Sequence, residues 1–163
     1  IHSLSISKFI DFKKDTVILD LGTGGGLPGI PLSIFFPDSK FKLIDRKTKK
    51  INVLNEIIDE LGTNNVTAQN IDIIDLNQNY DFIINRAVAS ANDLIKICKG
   101  RINYNGNNKI ENGIICLKGG NLNSELKNIN EFQIIKLKSF LSEQFFETKK
   151  ILYIPNPYTH MDS

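Results

Sequence analysis

The side chains best placed to do chemistry in this 163-residue chain stand at the ends of apolar runs. Val17-Ile18-Leu19-Asp20-Leu21 reads as a short buried strand that reaches an acid, and Gly22, Gly24 and Gly26 follow at alternate positions. Such glycines let the backbone take positive φ and admit a ligand close to the main chain, and Pro28 and Pro31 suit the first turn of a following helix. A second run, Lys40 to Ile44, ends on Asp45, 25 residues after Asp20. A carboxylate there can accept hydrogen bonds from both hydroxyls of a ribose and repels a 2′-phosphate, although alone it serves equally well as a helix cap. Tyr80 to Ile84 is a further strand ending in Asn85-Arg86-Ala87, and Gly113 to Leu117 another ending in Lys118-Gly119-Gly120. Ligands of open parallel sheets gather at the carboxyl ends of strands, so Asp20, Asp45, Arg86 and Lys118 share one address.

The dinucleotide fingerprint G-x-G-x-x-G fails, because its third glycine falls on Leu27, which argues against a nicotinamide oxidoreductase. The spacing Asp20-x-Gly22-x-Gly24-x-Gly26 instead resembles motif I of the class I S-adenosylmethionine-dependent methyltransferases. A generic glycine-rich strand-to-helix turn is the plainer alternative. No Ser-His-Asp set, cysteine nucleophile or metal cluster is apparent.

The elements that must position these groups follow from the patterning. Leu4, Phe9 and Ile10 mark the tail of a helix over 1–11 that starts without a cap, so further residues are expected upstream. Ile30, Leu32, Ile34, Phe35 and Phe36 predict a largely buried helix closed by Pro37-Asp38. Arg46, Lys47, Lys49 and Lys50 open a helix with Ile51, Leu54, Ile57, Ile58 and Leu61 on its apolar face and Gly62 as its stop. That basic turn is read first as a solvated face, and second as a phosphate contact. Val66 to Asn70 is a strand, followed by a loop over Ile71 to Asp75. A helix from about Ser90 is capped with Asp93 and buries Leu94, Ile97 and Cys98, and a short one covers Glu125 to Ile129. Gln133–Phe140 and Thr148–Ile154 read as a closing strand pair. Alternating strands and helices predict an α/β fold with a doubly wound, mostly parallel sheet and a C-terminal antiparallel pair. One domain is expected over 1–155, with a polar, mobile tail over 156–163 to which His160 belongs. The net charge of +2 gives no global field for nucleic acid, so any basic surface is local. No apolar run approaches the roughly 20 residues that span a bilayer, so no membrane association is expected. Cys98 and Cys116 read as unpaired core residues of a reducing, cytoplasmic compartment.

Several segments together resemble the RsmG family, also called glucose-inhibited division protein B: Leu19 to Pro31 with its Leu-Pro-Gly-Ile-Pro-Leu element, Leu43-Ile44-Asp45 with Lys49-Lys50, Asn85-Arg86-Ala87 and Leu117-Lys118-Gly119. The resemblance implies a Rossmann-like methyltransferase that moves the methyl group of S-adenosylmethionine to N7 of a guanine in 16S ribosomal RNA, within the 30S subunit, as a monomer. It implies cofactor contacts from the turn (Asp20, Gly22, Thr23, Gly24, Gly26, Leu27), from Asp45 and Arg46 at the ribose, from Ile73 and Ile74 at the adenine, and from Arg86. Arg86 and Lys118 are the expected catalytic pair, anchoring the guanine O6 edge, a phosphate or the methionine carboxylate. No metal is expected. His2 stands where many members carry an acid, and Asp72-Ile73-Ile74-Asp75 replaces an Arg-Ala-Glu-like run; His2 is read as a buried helix residue rather than a substrate-side group. A methyltransferase for another RNA or a small molecule, or a non-catalytic nucleotide-binding module, is the alternative.

Overall fold

The computed structural model describes residues 1–139, 141 and 144–159. A 3-10 turn at Ser3–Ser5 runs into α1 (Ile6–Phe9), and β1 (Val17–Leu21) leads through the glycine turn into α2 (Gly29–Phe35). The chain continues as β2 (Lys40–Asp45), α3 (Thr48–Leu61), β3 (Val66–Asn70), β4 (Phe82–Arg86) and α4 (Ala91–Ile97). It closes with β5 (Gly113–Gly119), α5 (Asn123–Leu126), β6 (Gln133–Lys136) and β7 (Lys149–Pro155). All seven strands form one sheet in the order β3-β2-β1-β4-β5-β7-β6. The first five run parallel, and β7 is antiparallel to both β5 and β6. The α/β sheet with its antiparallel closing pair is therefore the expected fold.

Strand alternation divides the core into two layers. Ile18, Phe82, Ile84, Ile115 and Leu117 face the layer covered by α2 and α3. Leu19, Leu21, Ile83, Ile114 and Cys116 face the other, under α4 and α5. Within α3, Ile51, Leu54 and Ile58 form the buried stripe, and Gly62 ends the helix at φ 64°. Ser90 caps α4 by accepting a hydrogen bond from the Asp93 amide at 3.3 Å.

Several local expectations need correcting. Tyr80 makes only an isolated bridge to Ile102, so β4 starts two residues late and carries Arg86 within the strand. Ile34, Phe35, Ile57 and Leu61 are exposed, because each lies on the outer flank of its helix. Ile97 is also exposed, turned out of the core. The short helix covers Asn123–Leu126, and β6 gives way to a 3-10 turn at Leu137–Ser139; Phe140 lies outside the described residues. At the end of the chain, Asn156 and Tyr158 are buried, and the Tyr158 hydroxyl donates to the Ile95 carbonyl at 2.5 Å, so 156–159 pack against α4 rather than trailing free. His160 and the rest of 160–163 lie outside the described residues. Cys98 and Cys116 are free and buried, and burial pushes their thiols up to about 12 and about 11. Among the described residues no helix is long and apolar enough to cross a membrane.

Candidate active site

The strand order reverses between β1 and β4, and the connections on either side lead away from that line, which leaves a crevice at the carboxyl edge. A cavity of about 520 Å³ opens there, within the size range of small-molecule sites. The tip of β1 contributes Leu21 and Gly22, and the tip of β2 contributes Ile44, Asp45, Arg46 and Lys47. Ile71, Asp72 and Ile73 after β3 form one wall, and Val88 and Ile97 close the side toward β4.

The glycine turn is held by its neighbours rather than by its own side chains. The Thr23 amide donates to the Ile44 carbonyl at 2.9 Å, which ties the turn to β2. Gly22 sits at φ 66°, and a Cβ there would lie 2.9 Å from Val88 Cγ2, so a side chain would both strain the turn and block the cavity wall. Asp20 is buried; one carboxylate oxygen accepts from the Thr23 hydroxyl at 2.7 Å and from the Gly29 amide at 2.9 Å. Its other oxygen has no hydrogen-bond partner among the described residues. Burial pushes its pKa up to about 7, against the lowering effect of the Thr23 and Gly29 hydrogen bonds and of Arg86. Asp20 thus fastens the turn to the start of α2 and does not line the cavity.

Asp45 does line it. One of its oxygens accepts from the Gly24 amide at 2.9 Å, and the other from the Lys47 amide at 2.9 Å. Asn70 Nδ2 donates to its backbone carbonyl at 2.9 Å. The carboxylate is thereby fixed in orientation, and each oxygen keeps acceptor capacity for a vicinal diol. Arg46 Nη1 lies 3.8 Å from the Asp72 carboxylate at the rim; with Arg46 84% exposed, the pair contributes little to stability. Arg101, which sequence reasoning missed, donates to the Ile73 carbonyl at 3.2 Å and the Ile74 carbonyl at 3.1 Å, and so holds the turn Ile73–Asp75 from behind.

The two strand-end cations diverge. Arg86 is exposed and has neither a hydrogen bond nor an ion pair among the described residues. Ala87 follows it in the left-handed region at φ 49°, an unusual conformation for a residue with a Cβ, and the chain turns there toward Val88 over Gly22. Lys118, by contrast, is buried. Its Nζ donates to the Ala89 carbonyl at 2.6 Å and to Glu125 Oε2 at 3.3 Å, and that same oxygen accepts from the Ala91 amide at 2.8 Å. Lys118, expected to anchor substrate, is engaged internally in this structure, where it clamps the loop after β4 to α5. Asn85 is fully buried and donates to Cys116 Sγ at 3.3 Å.

Of the residues expected at the cofactor, the cavity wall holds Gly22, Asp45, Arg46 and Ile73. Thr23, Gly24 and Gly26 shape the turn beneath it, and Leu27 lies beyond, where the chain enters α2. Ile74 points outward, 75% exposed, because the 3-10 turn buries Ile73 in its place. Leu21, Ile44, Lys47, Ile71, Asp72, Val88 and Ile97 were missed; the signal available for the first two was their position beside the strand-end acids. Among the described residues no three His, Cys, Asp or Glu side chains group to hold a metal ion.

A parallel sheet with an antiparallel last strand, a glycine turn after its first strand and an acid at the tip of its second define a class I methyltransferase. The fold is shared with an S-adenosylmethionine-dependent methyltransferase from Aquifex aeolicus, with a TM-score of 0.67 and 15% identity over 93% of this chain and 87% of that one. It is shared too with precorrin-6y C5,15-methyltransferase from Geobacter metallireducens, with a TM-score of 0.66 and 16% identity over 94% and 87%. Within that class, the chain belongs to the GidB family, rRNA small subunit methyltransferase G, which matches residues 1–151. It is 46% identical over 158 residues to the ribosomal RNA small subunit methyltransferase G of Christiangramia forsetii, covering 97% of this chain and 75% of that protein. To the enzyme of the same name from Bacteroides thetaiotaomicron it is 45% identical over 154 residues, covering 94% and 75%. Its cofactor is S-adenosylmethionine. The residues of the cavity fit it: spare acceptor capacity on Asp45 for the ribose, a glycine-floored approach at Gly22, and an apolar wall of Ile44, Ile71, Ile73 and Ile97 for a base.

Proposed function

We propose that the chain transfers the methyl group of S-adenosylmethionine to N7 of a guanine in 16S ribosomal RNA, presented in the assembled 30S subunit, and that it acts as a cytoplasmic monomer. The observation that carries this reading is the cavity at the switch point, with Asp45 fixed at its wall, in a chain of the small-subunit rRNA methyltransferase family.

The bound cofactor supplies a methyl group on a sulfonium sulfur; the acceptor's lone pair forms the new bond to carbon while the carbon–sulfur pair stays with sulfur. Guanine N7 carries a lone pair and no proton, so the transfer needs no general base. The chain's own task is to place the base in line with the methyl group. Asp45 accepts from the ribose hydroxyls. Arg46 closes the rim beside it, and Ile73 walls the adenine. Asp20 supports the glycine turn from below through its hydrogen bonds from the Thr23 hydroxyl and the Gly29 amide. Arg86 donates to the guanine O6 edge or to a phosphate, away from the N7 lone pair that must stay free. Lys118 acts on Arg86 only through the loop it clamps.

Mapping N7-methylguanosine in 16S RNA by reverse transcription or mass spectrometry, with and without the protein, tests the reading. One guanine should become methylated in its presence. Methyl groups on other RNA, or none on 16S RNA, would overturn it.

A further inference from the structure

The 3-10 turn Gln144–Phe146 carries two neighbouring aromatics with opposite fates. Phe146 is buried, whereas Phe145 is 59% exposed at the active-site edge of the sheet. The exposed ring is nonetheless held in place: Phe146 meets it edge-on at 5.1 Å between centroids, and His2 does so at 6.1 Å. Lys149 Nζ lies 5.1 Å from its centroid, and 3.5 Å from where a Cβ on Gly119 would stand, over the tip of β5. The register places Arg86 of β4 opposite Leu117 of β5, and Gly119 opposite Lys149 of β7, so both cations crown the same edge. Arg86 ends β4, the strand that lies between β1 with its glycine turn and β5, and behind the larger effects of burial and Lys149 its charge lowers the pKa of His2. Nothing in the cofactor half of the site uses Phe145 or Lys149.

An exposed aromatic ring with one cation over its face and a second at the same edge of the sheet matches one kind of ligand closely. A nucleotide has a π-face to stack and a phosphate to neutralise, and unpaired bases are bound in this way. A base methylated inside a folded RNA must leave its stack, and a ring beside the reaction site replaces the lost stacking. We propose that Phe145 is the platform on which the target nucleotide stacks, with Lys149 and Arg86 taking its phosphate. The proposal rests on the rRNA-methylation reading. Lys149 covers the ring in the free protein, and its flexible stem lets the ammonium swing to the phosphate as the base arrives.

The test uses the full chain with small ribosomal subunits lacking the modification, reading kcat and KM for RNA beside S-adenosylhomocysteine affinity. Phe145→Ala should lower kcat/KM about tenfold, mainly through KM, while Phe145→Trp stays near wild type and cofactor affinity is unchanged in both. Lys149→Gln should weaken RNA binding and flatten its salt dependence. Wild-type kcat/KM in Phe145→Ala overturns the platform, as does a lowered melting temperature with unchanged KM, which assigns the ring to packing. If Phe145→Ala fails to fold, Phe145→Leu replaces it, and equal activity of the Leu and Trp variants overturns the proposal. Absence of methyl transfer by the wild type removes the function reading and the platform together; loss of the platform alone leaves wild-type transfer intact.

Discussion

At the tips of β1 and β2 the acids are engaged by the backbone: Asp20 by the Gly29 amide and the Thr23 hydroxyl, Asp45 by the amides of Gly24 and Lys47. At the tips of β4, β5 and β7, Arg86 and Lys149 make no side-chain hydrogen bond among the described residues and Phe145 is held by ring contacts alone, whereas Lys118 faces inward and is bound there. The first half is a rigid socket for a small molecule of fixed shape. The second is an open edge that leaves its charges for a larger, polyanionic partner. The difference teaches that a strand-end charge reads as a binding group only once its internal partners are counted.

The contrast breaks most readily at Lys118. Lys118→Met leaves the Ala89 carbonyl and the Glu125 carboxylate without their ammonium partner, so denaturant unfolding should show a loss of about 3 kcal/mol. Lys118→Met combined with Glu125→Gln should recover part of it. A stable Lys118→Met variant defective only in methyl transfer would instead place Lys118 on the substrate.

Gly22→Ala probes the socket from its floor. The φ of 66° and the 2.9 Å approach to Val88 Cγ2 together should cost about 1–2 kcal/mol of folding stability, and the added methyl and the Val88 shift it forces at the cavity wall should also weaken S-adenosylhomocysteine binding read by calorimetry. An unchanged affinity would mean that the cofactor does not approach the turn.

A smaller effect follows from Asp20, whose pKa burial raises to about 7. Below about pH 4 the carboxyl is neutral whether folded or unfolded. Between there and about 7 the unfolded chain ionises first and the folded one resists, so the fold loses stability as pH rises. Melting temperatures measured from pH 5 to pH 8 should therefore show the wild type falling by a few degrees relative to Asp20→Asn, and levelling above 7. A wild type that gains on the variant as pH rises would contradict the buried placement of Asp20, with one of its oxygens unpaired among the described residues.

The socket was legible in sequence because it is local: Val17 to Asp45 contains a strand, its turn, a helix and the next strand end, and spacing alone sets the order. Its apolar walls were less legible, since Ile97 comes from α4 and helical periodicity assigned it to the core. The open edge was barely legible. His2, Arg86 and the neighbouring pair Phe145 and Lys149 are far apart in the chain and come to one edge through the β4–β5–β7 pairing and the ring contact of His2, which no local pattern announces. Lys118 shares a strand face with Cys116, but only the positions of α4 and α5 turn that parity into burial.

The division of the edge is tested most directly by measuring S-adenosylhomocysteine affinity and small-subunit rRNA methylation side by side for Asp45→Ala and Arg86→Gln. Asp45→Ala should lose about 1–3 kcal/mol of cofactor binding. Arg86→Gln should bind S-adenosylhomocysteine as the wild type does and lose about tenfold or more in methyl transfer to RNA. Full cofactor affinity in Asp45→Ala, or a cofactor defect in Arg86→Gln as large as that of Asp45→Ala, would contradict the account.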